Sequence, residues 1–134
     1  MLQTDKNYPK VTVVTVCFNV KEALLLTANN VFQQDYPSLE YVIVDGASTD
    51  GTVEALQNMG EKLNKWVSEP DKGIYDAMNK AVSMATGEWV IFLNAGDTFA
   101  ENNVLKHIFE VPRQADIIYG DVVKGNIIKQ AEPP

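Results

Sequence analysis

The sequence predicts an α/β fold, with a mostly parallel sheet in a three-layer α/β/α arrangement. Three observations carry this prediction. Short β-branched runs such as VTVVTVC, Val11 to Cys17, lack clean alternation, as strands buried on both faces do. Between them lie segments with apolar residues at helical spacing, and alternating strand and helix signals point to parallel strands joined by right-handed crossovers. The length of 134 residues suits a single domain over 1–134, with 46% hydrophobic and 22% charged residues as in ordinary globular proteins.

The elements follow in order. After the first strand, Asn19 reads as a helix N-cap with Glu22 in capping-box position. Leu24, Ala28, Val31 and Phe32 continue that helix until Tyr36-Pro37 stops it. Glu40 to Asp45 (EYVIVD) is a second strand ending in the polar loop Gly46 to Gly51, and Val53, Leu56 and Met59 mark a shorter helix with Gly60 near its end. Lys65 to Ser68 forms a third strand, closed by Glu69-Pro70. Ile74, Met78, Ala81, Val82 and Ala85 make an apolar stripe, with Gly87 where a C-terminal glycine belongs. Glu88 to Leu93 is a fourth strand, and Val104, Leu105 and Ile108 a short helix ending near Pro112. Ala115 to Val123 and Asn126 to Lys129 close the chain as strands of a hairpin, and Glu132-Pro133-Pro134 follow with no closing helix.

Composition narrows the function. Eighteen acidic against 11 basic side chains give a net charge of −7, so nucleic acid is not an expected partner. Cys17 is the one cysteine, which leaves no disulfide and no multi-cysteine zinc site. Met1 to Lys10 is polar, without the apolar stretch of a signal peptide, and no run approaches the ~18 residues of a membrane span. No glycine-rich dinucleotide or P-loop motif is present. Cys17 reads as a packing residue, and His107 as a helix-end residue.

The polar chemistry gathers where ligands bind in open α/β sheets, at the strand carboxyl ends. Those ends are Cys17-Phe18-Asn19, the loop Asp45 to Gly51, Ser68-Glu69-Pro70-Asp71, and Asn94-Ala95-Gly96-Asp97. Together they predict an acidic, glycine-containing crevice. A phosphorylated ligand fits there when a divalent cation mediates, and hard oxygen ligands suit Mg²⁺ or Mn²⁺.

Four segments in this order, VTVVTVCFN, VIVDGASTDGT, SEPDKGIYDAMNKA and ATGEWVIFLNAGD, strongly resemble family 2 glycosyltransferases. The resemblance runs from about Val11 to Asp121 and implies the GT-A fold, an inverting reaction and a nucleotide-diphospho-sugar donor, with a uridine diphosphate sugar favoured. It covers the donor-binding half of the family's domain, so the expectation is a chain truncated after that half, with its C-terminal part missing. By resemblance, Cys17 and Phe18 approach the nucleotide base, and Asp45 accepts a hydrogen bond from a ring nitrogen of that base. Ser48 and Asp50 share its loop, where Asp50 also suits an N-cap. Asp71 and Gly73 sit where the loop passes the donor ribose and sugar, while Asp76 and Asn79 face the same region or cap local structure, and Met78 is core. Asn94-Ala95-Gly96-Asp97 stands in the place of the D-x-D metal motif. There Asp97 is the charged metal ligand and Asn94 offers a neutral carbonyl to the bound donor and its Mg²⁺ or Mn²⁺; the same four residues also suit a plain turn.

The activity implied is sugar transfer to a glycan or lipid-linked acceptor hydroxyl in cell-surface polysaccharide synthesis, in the cytoplasm or at the inner face of the membrane. The general base is expected in a later half, so no residue of this chain is assigned as catalytic; Asp116 and Asp121 lie too early. A sheet edge after Val123 invites pairing with a second copy. Two other readings differ in class. A nucleotide-sugar-binding fragment would bind the donor without transfer. A receiver-like signalling module would need an acidic pair at Cys17-Phe18-Asn19 and a well-placed lysine near Lys124.

Overall fold

The computed structural model describes residues 8–110, 117–118 and 126–129. Along the chain lie β1 (Val11–Cys17), α1 (Lys21–Phe32), β2 (Leu39–Asp45), α2 (Thr52–Met59), a 3-10 turn (Gly60–Lys62), β3 (Lys65–Ser68) and α3 (Ile74–Met84). Then come β4 (Trp89–Phe92), α4 (Val104–Ile108), β5 (Ile117–Ile118) and β6 (Asn126–Lys129). One sheet runs β3-β2-β1-β4-β6-β5. Its first four strands are parallel, β6 lies antiparallel against β4, and β5 is antiparallel to β6. The α/β class therefore stands, and the closing hairpin is present as the β5–β6 pair. The rest of Ala115 to Val123, together with Pro112, Lys124 and 130–134, lies outside the described residues. Receiver modules order their strands 2-1-3-4-5, which this sheet does not.

Alternate residues of each strand feed two cores, which is why the strands read as unbroken apolar runs. Val11, Val13, Tyr41, Ile43, Trp89 and Ile91 pack with Leu24, Ala28 and Val31 of α1, Leu56 of α2 and Leu105 of α4. On the opposite face Val14, Val42, Val44 and Val90 pack against Ala77 and Ala81 of α3, whose small side chains let that helix sit close to the sheet. Each fully buried Val, Leu or Ile contributes about 1.5–3 kcal/mol. The two faces follow from handedness. Right-handed crossovers from β1 to β2 to β3 put α1 and α2 on one side, and the return to β4 puts α3 on the other.

At the end of the sheet where the parallel strands begin, a buried carboxylate joins four segments. Glu40 Oε1 accepts from Thr12 Oγ1 at 2.7 Å and from the Thr86 N–H at 2.8 Å. Its Oε2 accepts from Thr86 Oγ1 at 3.0 Å and pairs with Lys65 Nζ at 3.2 Å. Burial opposes ionisation, but hydrogen bonds from Thr12, Thr86 and Lys65 outweigh it and hold the carboxyl at about 2, below its ordinary 4.5.

Three local expectations need correction. Asn19 does not cap α1: the N-cap is Val20, with no side-chain cap of its own, and Asn19 takes a left-handed turn at φ 52°. Gly87 is not a helix-terminating glycine, because α3 ends at Met84 with Ala85 extended. Gly87 is required instead by proximity, since a Cβ there would lie 2.6 Å from the Thr12 backbone nitrogen. Ile74 begins the predicted buried stripe but is 55% exposed, and Met78 is only half-buried, because Ala77 and Ala81 make the contact with the sheet.

Candidate active site at the strand ends

The strand order reverses between β1 and β4, and at such a switch point the loops diverge and leave a crevice beyond the strand ends. A cleft of about 410 Å³ opens there, lined by Cys17, Phe18, Asp71, Gly73 and Asn94 with Val16, Val20, Ile74, Ala77 and Ala95. Five of the residues predicted from sequence thus meet on one surface. Two hollows of about 460 and 470 Å³ lie against α1 and near α2, and neither gathers any predicted site residue. Phe18, 60% exposed, gives the cleft an aromatic wall.

Asp45 lies behind the cleft and is fully buried. Its Oδ1 accepts from Ser48 Oγ at 2.5 Å and Cys17 Sγ at 3.4 Å. Its Oδ2 accepts from the Ser48 N–H at 2.9 Å and Ser68 Oγ at 2.7 Å. Both oxygens are therefore engaged by the chain itself, and the ends of β1, β2 and β3 converge on one carboxyl group. Burial and the neighbouring Asp45 push the Cys17 thiol well above its ordinary value, which makes it a hydrogen-bond donor and a poor nucleophile.

The loop after β1, which carries Phe18, is stapled to the loop after β2. The Asn19 N–H donates to Ser48 Oγ at 2.8 Å, and Asn19 Oδ1 accepts from the Thr49 N–H at 2.8 Å. Asp50 caps two helices at once. Its Oδ2 accepts from the first N–H of α1, at Lys21, at 2.9 Å; its Oδ1 accepts from the first N–H of α2, at Thr52, at 3.2 Å. The Thr52 hydroxyl and the Lys21 N–H lower the Asp50 pKa. Both helix N-termini thereby receive an anion from within the chain.

The segment Asn94 to Asp97 turns tightly, with the Asp97 N–H on the Asn94 carbonyl at 2.9 Å and Gly96 at φ 100°. The turn rests on α1 as much as on β4. Buried Thr27 donates to the Asp97 carbonyl at 2.7 Å and accepts from the Gly96 N–H at 2.8 Å. Asn30 and Gln34 continue this: Asn30 Oδ1 takes the Phe99 N–H at 2.7 Å, and Gln34 Oε1 the Leu105 N–H at 2.8 Å. Asn94 is exposed and Asp97 half-buried, and no described group hydrogen-bonds either side chain. No three His, Cys, Asp or Glu side chains gather as a metal cage among the described residues. The Asp97 carboxylate and the Asn94 amide carbonyl are hard oxygen ligands of the kind Mg²⁺ or Mn²⁺ accepts.

Sequence reasoning missed Thr27 and Asn30. Thr27 carried a readable signal, a polar residue inside the apolar stripe of α1. Ser68 was placed at a strand end, but its bond to Asp45, 23 positions away, left no trace in the sequence. Asp76 resolves as a cap: its Oδ2 accepts from the Lys72 N–H at 2.9 Å and pairs with Lys80 at 3.8 Å, while Asn79 stays exposed.

A parallel sheet of this order, with helices on both faces and a largely apolar cleft bearing Asp71 and Asn94 at the switch point, is an α/β architecture of GT-A type. The family model described as "Glycosyl transferase family 2" matches residues 12–131, and the chain belongs to that family. It is similar to a PGL/p-HBAD biosynthesis glycosyltransferase of Mycobacterium bovis, at 34% identity over 122 residues covering 86% of this chain and 47% of that protein. Among solved structures, it resembles residues 1–349 of S. aureus TarS in complex with UDP-GlcNAc, at TM-score 0.68 and 28% identity over 74% of this chain and 30% of that one. The mannosyltransferase PcManGT from Pyrobaculum calidifontis, in complex with GDP-Man and Mn²⁺, shares the fold at TM-score 0.77 and 24% identity, covering 91% of this chain and 45% of that one. The chain spans about half the length of the curated relatives it matches. No helix of the described residues is long and apolar enough to cross a membrane.

Proposed function

We propose that this chain forms the donor-binding part of a glycosyltransferase that passes a sugar from a nucleoside diphosphate to an acceptor hydroxyl in cell-surface glycan synthesis. The observation that carries this reading is the cleft at the switch point, where Cys17, Phe18, Asp71, Gly73 and Asn94 meet; Asp97 is outside its lining and is tied to it by its N–H on the Asn94 carbonyl. Family membership and a relative solved with UDP-GlcNAc support a nucleotide-sugar donor. In this reading Phe18 offers a ring face to the base, and Gly73 leaves room for the sugar at the start of α3. Asp45 and Ser48 hold the rim in place from behind. Asn94 and Asp97 would hold a Mg²⁺ or Mn²⁺ ion, which when bound neutralises the diphosphate as it leaves. The acceptor, a glycan or a lipid-linked saccharide, approaches from the open side. A cytoplasmic donor puts the protein in the cytoplasm or on the inner face of the membrane.

The test is thermal unfolding with UDP, Mn²⁺ and both together. The combination should raise Tm by several degrees more than UDP alone, and no shift with any nucleoside diphosphate would end the reading. A donor-hydrolysis assay then separates an enzyme from a fragment that binds without transfer.

A further inference from the structure

Resting on that donor-site reading, we infer that Asp71, rather than Asp45, is the carboxylate that reads the nucleobase, and that it selects bases with a ring N–H. Asp45 has no oxygen to spare: it is fully buried, and each of its oxygens accepts two hydrogen bonds from the chain. A base could reach it only by breaking that hub. Asp71 is placed differently. It lines the cleft, its Oδ1 accepts from the Gly73 N–H at 3.0 Å, and its Oδ2 takes no hydrogen bond from any described residue.

Gly46 makes this placement possible. A Cβ at Gly46 would stand 2.9 Å from Asp71 Oδ2 and 3.3 Å from Phe18 Cδ1. The free carboxylate oxygen and the edge of the exposed ring therefore converge on one point that a larger residue would fill. Gly46 has an ordinary φ, so the backbone does not demand glycine there; the space does. An aromatic face with a hydrogen-bonding edge beside it is how a single base is held, by stacking and by contacts to its Watson–Crick edge.

Carboxylate chemistry then sets the preference. Ionised, Asp71 only accepts hydrogen bonds. Uracil presents N3–H, and guanine presents N1–H beside an exocyclic amine, so both donate to it. Cytosine N3 and adenine N1 carry lone pairs and repel it. A site built around such a bond rejects the partner that cannot make it far more strongly than an apolar pocket does.

The experiment is calorimetric titration of the whole chain with UDP, GDP, CDP and ADP, each with Mn²⁺. Wild type should bind UDP or GDP at least tenfold more tightly than CDP and ADP. Asp71→Asn, which presents both a donor and an acceptor, should erase that preference by tenfold or more and improve CDP relative to UDP. Gly46→Ala keeps the carboxylate but crowds its approach, and should weaken UDP binding at least tenfold while urea unfolding remains cooperative. Wild-type preference retained in Asp71→Asn, or unchanged UDP affinity in Gly46→Ala, overturns the inference and leaves the donor site standing. A wild-type chain that binds none of the four removes both.

Discussion

Glu40→Gln tests whether the buried carboxylate is stabilising because it is ionised. The substitution keeps size and shape, and one amide oxygen can still accept from Thr12 and the Thr86 N–H. The new amide nitrogen instead meets Lys65 Nζ, a donor, where Oε2 had been 3.2 Å away. The Glu40 side chain is only 6% exposed, so solvent screening does little to soften the loss. Lowering the pKa from 4.5 to about 2 corresponds to about 3 kcal/mol of stabilisation at neutral pH. Because the folded value lies below the unfolded one, this stabilisation is complete above about pH 5 and fades as the pH falls toward 2. Urea midpoints of wild type and variant at pH 7 and pH 3 provide the assay. With a slope of about 1–3 kcal/mol per molar, the midpoints should differ by 1 M or more at pH 7. The free-energy gap should shrink to about 1 kcal/mol at pH 3. Other carboxylates titrate in both proteins and cancel. A gap of equal size at both pH values would refute the ionic account and leave packing as the cause. UDP binding should survive, since this network sits at the opposite end of the strands from the cleft.

Three further predictions are more local. Thr27→Val removes the hydroxyl that holds Gly96 and Asp97, so it should cost about 1–3 kcal/mol and abolish the extra Tm gain that the proposed donor site expects from Mn²⁺ with UDP; an intact Mn²⁺ effect would detach α1 from the role proposed for the Asn94–Asp97 turn. Gly87→Ala forces a Cβ to within 2.6 Å of the Thr12 nitrogen, and the strain should lower stability by about 1–3 kcal/mol or more, read as a drop in Tm. Cys17 should react with iodoacetamide far more slowly in the folded chain than in urea at pH 8, because burial and Asp45 disfavour its thiolate; equal rates would contradict that environment.

The four parallel strands were legible because burial on both faces leaves an unbroken apolar signature, as in VTVVTVC and EYVIVD. The meeting of Cys17, Phe18, Asp71, Gly73 and Asn94 was legible too, since parallel strands all present their carboxyl ends at one edge of the sheet. Hidden from the sequence were interactions whose partners are remote along the chain. Asn19 and Glu22 have the spacing of a capping box, yet Asp50, 29 positions from Lys21, supplies the cap. Gly87 looks like a helix terminator by its place after an apolar stripe, whereas its constraint comes from Thr12, 75 positions away. For Asp45, residue type and position suggest a ligand contact; burial and four internal donors are properties of the folded neighbourhood.

Helix α1 touches both sides of the cleft, through Asp50 at its first turn and through Thr27, Asn30 and Gln34 along its length. Neither wall can loosen without stripping hydrogen bonds from the same helix. In hydrogen exchange the Phe18–Gly51 wall and the Asn94–Leu105 wall should therefore open together with α1 as one cooperative unit. A ligand that clamps either wall would slow exchange along the whole of α1, well beyond the residues it touches.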